Sequence, residues 1–205
     1  MCYRHDVPRI TDERREARRD QVLEAARACL QEHGLEAVSM EMIIARSGLS
    51  TGAVYSYFKG KDQLISAVVT EGMAAMAHDL APVLTNSEPP PFPELIEQVL
   101  RTVVAFGRHR NSEIDRLLVS LHGWSHAQSD PELKAATRTS YSGLRKLFAD
   151  AVRRWQAAET FDAAANPEAV AELLTSITLG FVAQRALAGS ADVAAHVAAL
   201  EALTR

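Results

Sequence analysis

The chain has 205 residues, 47% of them hydrophobic and 23% charged, with two cysteines and a formal net charge of −4. That length and apolar content allow one large or two small domains with a sizeable core. Cys2 and Cys29 are too few for a disulfide framework, and a reducing cytoplasm fits them. No run of eighteen or more apolar residues calls for a transmembrane helix, and the polar, charged start MCYRHDVPRITDERREARRD excludes a secretory signal. Ala and Leu abound and strand alternation is nearly absent, so the expected fold class is all-α.

Residues 1 to about 12 read as an arm, with Pro8 breaking any helix. Arg14, Arg15, Arg18 and Arg19 follow, placed ahead of a first helix that begins at Asp20. Along that helix Val22, Ala25, Ala26, Cys29, Leu30 and His33 recur at three and four residues, and Gly34 stops it. An arginine run by itself describes a solvated helix end as well as a phosphate-binding patch. Its setting matters: residues 1–61 carry ten basic and nine acidic side chains, a net +1, against −5 for the remainder.

The stretch SMEMIIARSGLSTGAVYSYFKGKDQL, Ser39 to Leu64, organises the chain. Met40, Ile43 and Ile44 fall at helical spacing behind Ser39, a good N-cap. Gly48 suits the left-handed turn that ends this helix. Ser50 caps the next, which carries Ala53, Val54, Tyr55, Tyr57 and Phe58. Two helices around a glycine-containing turn make a helix-turn-helix, whose second helix can lie in the major groove of DNA. Ser50, Thr51, Gly52 and Ala53 form its first turn, the part that faces base edges. Gly52 permits close backbone approach, and Thr51 can hydrogen-bond base or phosphate. Tyr55 and Tyr57 offer phenols to phosphate oxygens, as Lys61 offers an ammonium. Val54 and Phe58 face the core. Tyr55 could instead pack as core, and Glu41 gives no help to phosphate binding.

The pattern G-L-S-x-G-x-x-Y-x-Y-F-x-x-K-x-x-L from Gly48 to Leu64 resembles the signature of TetR-type transcriptional regulators. The segments Leu35–Ser39 and Ile43–Ala45 and the helix Val22–His33 fit the same pattern, over about the first third of the chain. Three positions depart from the family: Ser39 stands where Thr is usual, Ile44 where a small residue is usual, and Tyr57 where His is usual. Ser39 keeps the hydroxyl and Tyr57 an aromatic ring with a polar tip. The resemblance implies DNA contacts from Arg18, Ser39, Ser50, Thr51, Gly52, Ala53, Tyr55, Tyr57 and Lys61.

A long helix, Lys61 to about Leu84, is expected to connect a DNA-binding domain at 13–61 with a second domain at 85–205. The run Ser87–Pro93 marks a loop. Further helices are expected at Glu94–His109, Ser112–Ala127, Pro131–Ala158, from Pro167 through Leu187, and Asp192–Leu203. On the third of these, Leu133, Ser140, Leu144, Leu147, Ala151 and Trp155 form a stripe. Leu174, Ile177, Phe181, Gln184 and Ala188 form another on the fourth, where Gly180 and Ala183 allow close approach. These stripes serve either a homodimer, which the resemblance implies, or the intramolecular core; periodicity does not separate the two.

No phosphate loop or CxxC is present, so neither a catalytic constellation nor a cofactor is expected. Met73, Met76, Phe106, His122, Trp124, His126 and Tyr141 could line an apolar cavity with a few polar anchors, plain core packing being the other reading. His122 and His126, four apart on one helix, also have a spacing that suits a transition metal, but no third ligand is evident. The leading expectation is a cytoplasmic repressor, without membrane attachment, released from a palindromic double-stranded operator by a small-molecule effector. The dimer's recognition helices would sit about 34–36 Å apart. A metal-responsive regulator, or an all-α enzyme or carrier, are the alternatives.

Overall fold

The computed structural model describes residues 11–108, 115–189 and 191–203. All regular structure among them is α-helical, and the chain divides into two compact units, Met1–Ala67 and Val68–Arg205. The division falls inside a helix, six residues beyond Lys61.

In the first unit, α1 runs Asp12–Ala37, α2 Met40–Ser47 and α3 Thr51–Tyr57, and α4 (Lys61–Leu84) begins. Helix α1 starts eight residues before the expected Asp20, so the four arginines belong to it rather than preceding it. Its N-cap is Thr11, whose hydroxyl accepts from the Arg14 N–H at 3.4 Å, followed by Asp12 and Glu13 at the positive helix end. The expected arm at residues 1–10, Cys2 included, lies outside the described residues. Gly34 interrupts α1 as expected: at φ 73° and ψ 173° it is not helical, and Asp12–Ala37 joins two helices across the kink it makes, in a backbone conformation that glycine adopts without a Cβ penalty. Val22, Leu23, Ala26, Cys29, Leu30, Val38, Ile43, Val54, Phe58, Leu64 and Ile65 are buried. Burial raises the Cys29 thiol above its usual pKa, with nearby Arg46 acting in the opposite direction.

The second unit holds the rest of α4, then α5 (Phe92–Gly107), α6 (Arg116–His126), α7 (Pro131–Ala157), α8 (Pro167–Ala188) and α9 (Val193–Leu203). Phe92 and Pro93, expected in the loop, enter α5, since a proline in the first turn loses no hydrogen bond. The expected His109, Ser112 and Ile114 lie outside the described residues, and α6 is capped by Asp115, which accepts from the Leu117 and Leu118 N–H groups. Asp130, Asn166 and Asp192 accept in the same way at the starts of α7, α8 and α9.

The core of this unit gathers Leu80, Leu84, Leu95, Ile96, Val99, Leu100, Val103, Phe148, Val152, Leu174 and Phe181. Helices α7 and α8 share its most extensive helix–helix contact. The loop after α4 is tied down from α7: the Arg154 guanidinium donates to the Leu84 carbonyl at 2.6 Å and the Trp155 indole to the Pro90 carbonyl at 2.8 Å. Phe92, Trp155 and Phe161 form an aromatic cluster around that anchor.

The two stripes separate into buried and exposed positions, Gln184 and Ala188 being exposed. Leu133, Ala151 and Trp155 on α7, and Leu174 and Phe181 on α8, are buried within their own chain, so they are not a surface at all. The outer face of α8 carries instead Leu173 at 59% and Leu187 at 75% exposure, with Ser176, Gly180 and Gln184 between them at helical spacing. By length and composition alone helix α8 could cross a membrane, at a mean hydropathy of 1.2, a test that the core helix of a soluble protein also passes. A third of that window is buried against the rest of the fold.

Candidate nucleic-acid interface and interior cavity

Local chemistry fixes the first site. The Ser39 hydroxyl accepts from the Met42 N–H at 3.4 Å and opens α2; its hydrogen bond to Glu41 is the largest influence holding that carboxyl below the usual range. Gly48 closes α2 at φ 66°, and Ser50 opens α3 by accepting from the Ala53 N–H at 3.3 Å. Helix α1 holds the turn in register, because the Gln21 amide donates to the Ser47 carbonyl at 2.6 Å. Arg46 on α2 pairs with Glu32 on α1 at 2.5 Å, which lowers the Glu32 pKa.

This frame leaves Ser50, Thr51 and Gly52 exposed at the start of α3, with Ala53 and Tyr57 partly so. Val54 and Phe58 are buried, and the Arg19 guanidinium lies 5.4 Å from the Phe58 ring centroid. Tyr55 is 38% exposed, so it does not pack as core. Gly52 has helical geometry, and a Cβ built on it meets nothing within 4 Å, so nothing inside the chain calls for glycine there. Basic groups border the helix: the Lys59 ammonium donates to the Tyr55 carbonyl at 3.2 Å and that of Lys61 to the Glu36 carbonyl at 3.5 Å. Arg18 is half-buried on α1.

Within the second unit α4, α5, α6, α7 and α8 line an open-sided cavity of about 610 Å³. Met73, Met76, Phe106, Trp124 and Tyr141 stand on its wall. His122 and His126 do not. On α6 the wall positions are Leu117, Ser120 and Trp124, and residues two from Trp124 point to the far side of a helix with 3.6 residues per turn. His126 is instead 7% exposed, with Nε2 3.9 Å from an Asp130 carboxylate oxygen. His122 is half-buried, and desolvation lowers its pKa.

Residues 22–68 match the family described as bacterial regulatory proteins of the tetR family, and residues 92–205 match the C-terminal domain of BetI-type transcriptional repressors. The chain belongs to the TetR family. It is therefore a DNA-binding transcriptional regulator and not an enzyme. It is 30% identical over 155 residues to the HTH-type transcriptional regulator BetI of Burkholderia lata, covering 71% of this chain and 75% of that one. Likeness to an HTH-type transcriptional repressor of Mycobacterium tuberculosis is 35% over 74 residues, which is 35% of this chain and only 40% of the relative. The crystal structure of a putative transcriptional regulator from Pseudomonas aeruginosa shares the fold at a TM-score of 0.74 and 20% identity, covering 97% of this chain and 93% of that one.

For this TetR-family chain, sequence reasoning missed Gly72, Ser120, Gly143, Lys146, Asp150 and Thr178 on the cavity wall. The signal for the two glycines was present: both sit inside long helices, where glycine is disfavoured and has a packing or functional reason. Among the described residues no group of three or more His, Cys, Asp or Glu is placed to hold a metal.

Proposed function

We propose that this regulator is a cytoplasmic repressor that binds a palindromic operator as a homodimer and leaves it when a small molecule fills the cavity. In this reading the first unit binds DNA and the second senses the effector and dimerises. The observation that carries it is a roomy apolar cavity in the second unit of a chain whose first unit is a helix-turn-helix. Relatives named as repressors support the sign of the output. One helix, α4, supplies both Lys61 and the wall residues Gly72, Met73 and Met76, so an occupant that displaces the helix displaces Lys61. The occupant acts only if it binds the DNA-free arrangement more tightly than the bound one.

Arg18, Ser39, Ser50, Thr51, Gly52, Ala53, Tyr55, Tyr57 and Lys61 are the proposed DNA contacts. Ser39 and Ser50 already spend a lone pair on capping, which leaves their hydroxyl protons for phosphate oxygens or, at Ser39, for Glu41. The test is a fluorescence anisotropy titration against DNA upstream of the coding region, at two salt concentrations. Saturable binding that survives competitor DNA is expected, with affinity falling at least tenfold in Tyr55→Ala plus Lys61→Ala. Unchanged affinity in the double variant overturns these contacts.

A further inference from the structure

We propose that the cavity takes an uncharged, mainly apolar molecule bearing one hydrogen-bond acceptor, which the Tyr141 hydroxyl reads. The inference rests on the effector reading above and names the chemistry of its occupant.

Most of the wall is carbon, from Met73, Met76, Leu80, Val103, Phe106 and Leu117 among others. Its hydroxyls are largely committed to the protein. Ser120 donates to the Arg116 carbonyl and Thr178 to the Leu174 carbonyl, each at 2.9 Å. Tyr141 differs. Both it and Trp124 stand on the wall, and among the described residues no hydrogen bond commits the Tyr141 proton to the protein. Ser140, its neighbour in sequence, also stands on the wall. Burial raises the Tyr141 pKa, so the phenol stays a donor at neutral pH.

Charge on the wall argues against an ionic occupant. A cation would seek a carboxylate or an aromatic face. The Asp150 carboxylate already accepts from Arg153 at 2.8 Å, and Arg153 also bonds Glu168. The Phe106 ring already carries the Arg116 guanidinium, 5.5 Å from its centroid, so Trp124 and Tyr141 are the aromatic faces on the wall that a trimethylammonium probe addresses. Lys146 touches the wall but is exposed, and an ion pair in solvent is worth little against the cost of burying a carboxylate's tail and head together.

Room for the apolar body comes from two glycines. Gly72 inside α4 and Gly143 inside α7 both line the cavity, and a Cβ on either would meet nothing within 4 Å. Neither helix needs glycine to pack, and both are weakened by it. Their common effect is to leave the wall clear.

Calorimetry on the full chain tests this with 2-undecanone, undecyltrimethylammonium, undecanoate and 1-undecene, all below micelle-forming concentrations. Saturable ketone binding is expected, at least tenfold tighter than either charged probe and at least fivefold tighter than the alkene. Tyr141→Phe should remove the advantage of ketone over alkene without changing the melting temperature, and Gly143→Leu should weaken both. A charged probe that binds as tightly as the ketone, or equal binding of ketone and alkene to the unsubstituted protein, overturns the proposal. Anisotropy with the upstream DNA separates the two readings. Ketone bound in the cavity without loss of DNA supports the occupant's chemistry and overturns the effector role; a charged probe that binds best and releases DNA does the reverse.

Discussion

Gly52 is a residue whose reason lies outside its own chain. Its helical φ needs no glycine, and a methyl group there would stand in open space. Gly52→Ala is therefore expected to raise the stability of the free protein, by up to about 1 kcal/mol. In the proposed DNA contact the same methyl would stand between α3 and the DNA surface. Chemical denaturation and anisotropy, run on one preparation, should show stability rising while DNA affinity falls. His122 gives the second expectation at this scale. Burial disfavours its imidazolium, so it takes up a proton at lower pH folded than unfolded. The stability it contributes is present above the unfolded value of about 6.5 and is lost as pH falls below it. Urea midpoints should drop between pH 7.5 and 5.5, and His122→Gln should shrink that drop; an unaltered drop assigns it to other groups.

At the scale of elements, α4 and α6 meet where a side chain is missing. A Cβ at Gly123 would lie 2.7 Å from both γ-carbons of Val69. Valine in a helix has essentially one rotamer, so neither carbon can turn aside. Overpacking of about 1–3 kcal/mol then outweighs the roughly 1 kcal/mol that alanine gains in helix propensity. Gly123→Ala should lower the melting temperature, and Val69→Ala added to it should recover part of the loss. Most helix ends were legible in the sequence because they carry chemistry of their own: Ser39, Gly48 and Ser50 around the turn, and Pro131 and Pro167 near the starts of α7 and α8. The start of α1 was not read, because DERREARRDQ is polar on every side and shows no apolar period. Thr11 followed by two acidic residues was the signal that could have placed it.

For the whole molecule, the exposed leucines of α8 state what the α7 and α8 stripes left open. Periodicity marks apolar faces but does not say whether the covering surface is the same chain or another. Here Leu174 and Phe181 are covered by their own chain, while Leu173 and Leu187 are not. Gly180, between them, has open space over its Cα. If the proposed homodimer forms through this face, sedimentation should show a dimer for the unsubstituted chain and a monomer for Leu173→Asp with Leu187→Asp, with DNA affinity reduced. A dimer that persists moves the interface elsewhere. The cavity was only partly legible for a related reason: five helices build it, and residues such as Ser120, Lys146 and Thr178 become neighbours only after those helices pack.

The way that wall satisfies its hydroxyls bears on how such a protein changes over generations. Ser120 and Thr178 each donate to a carbonyl of their own helix, one turn back, rather than to a partner across the cavity. Those carbonyls can keep their backbone partners when the hydroxyl is lost, so replacement by alanine or valine strands no buried polar group. One codon at a time, the wall can be recut for a different occupant while the backbone around it stays as it was.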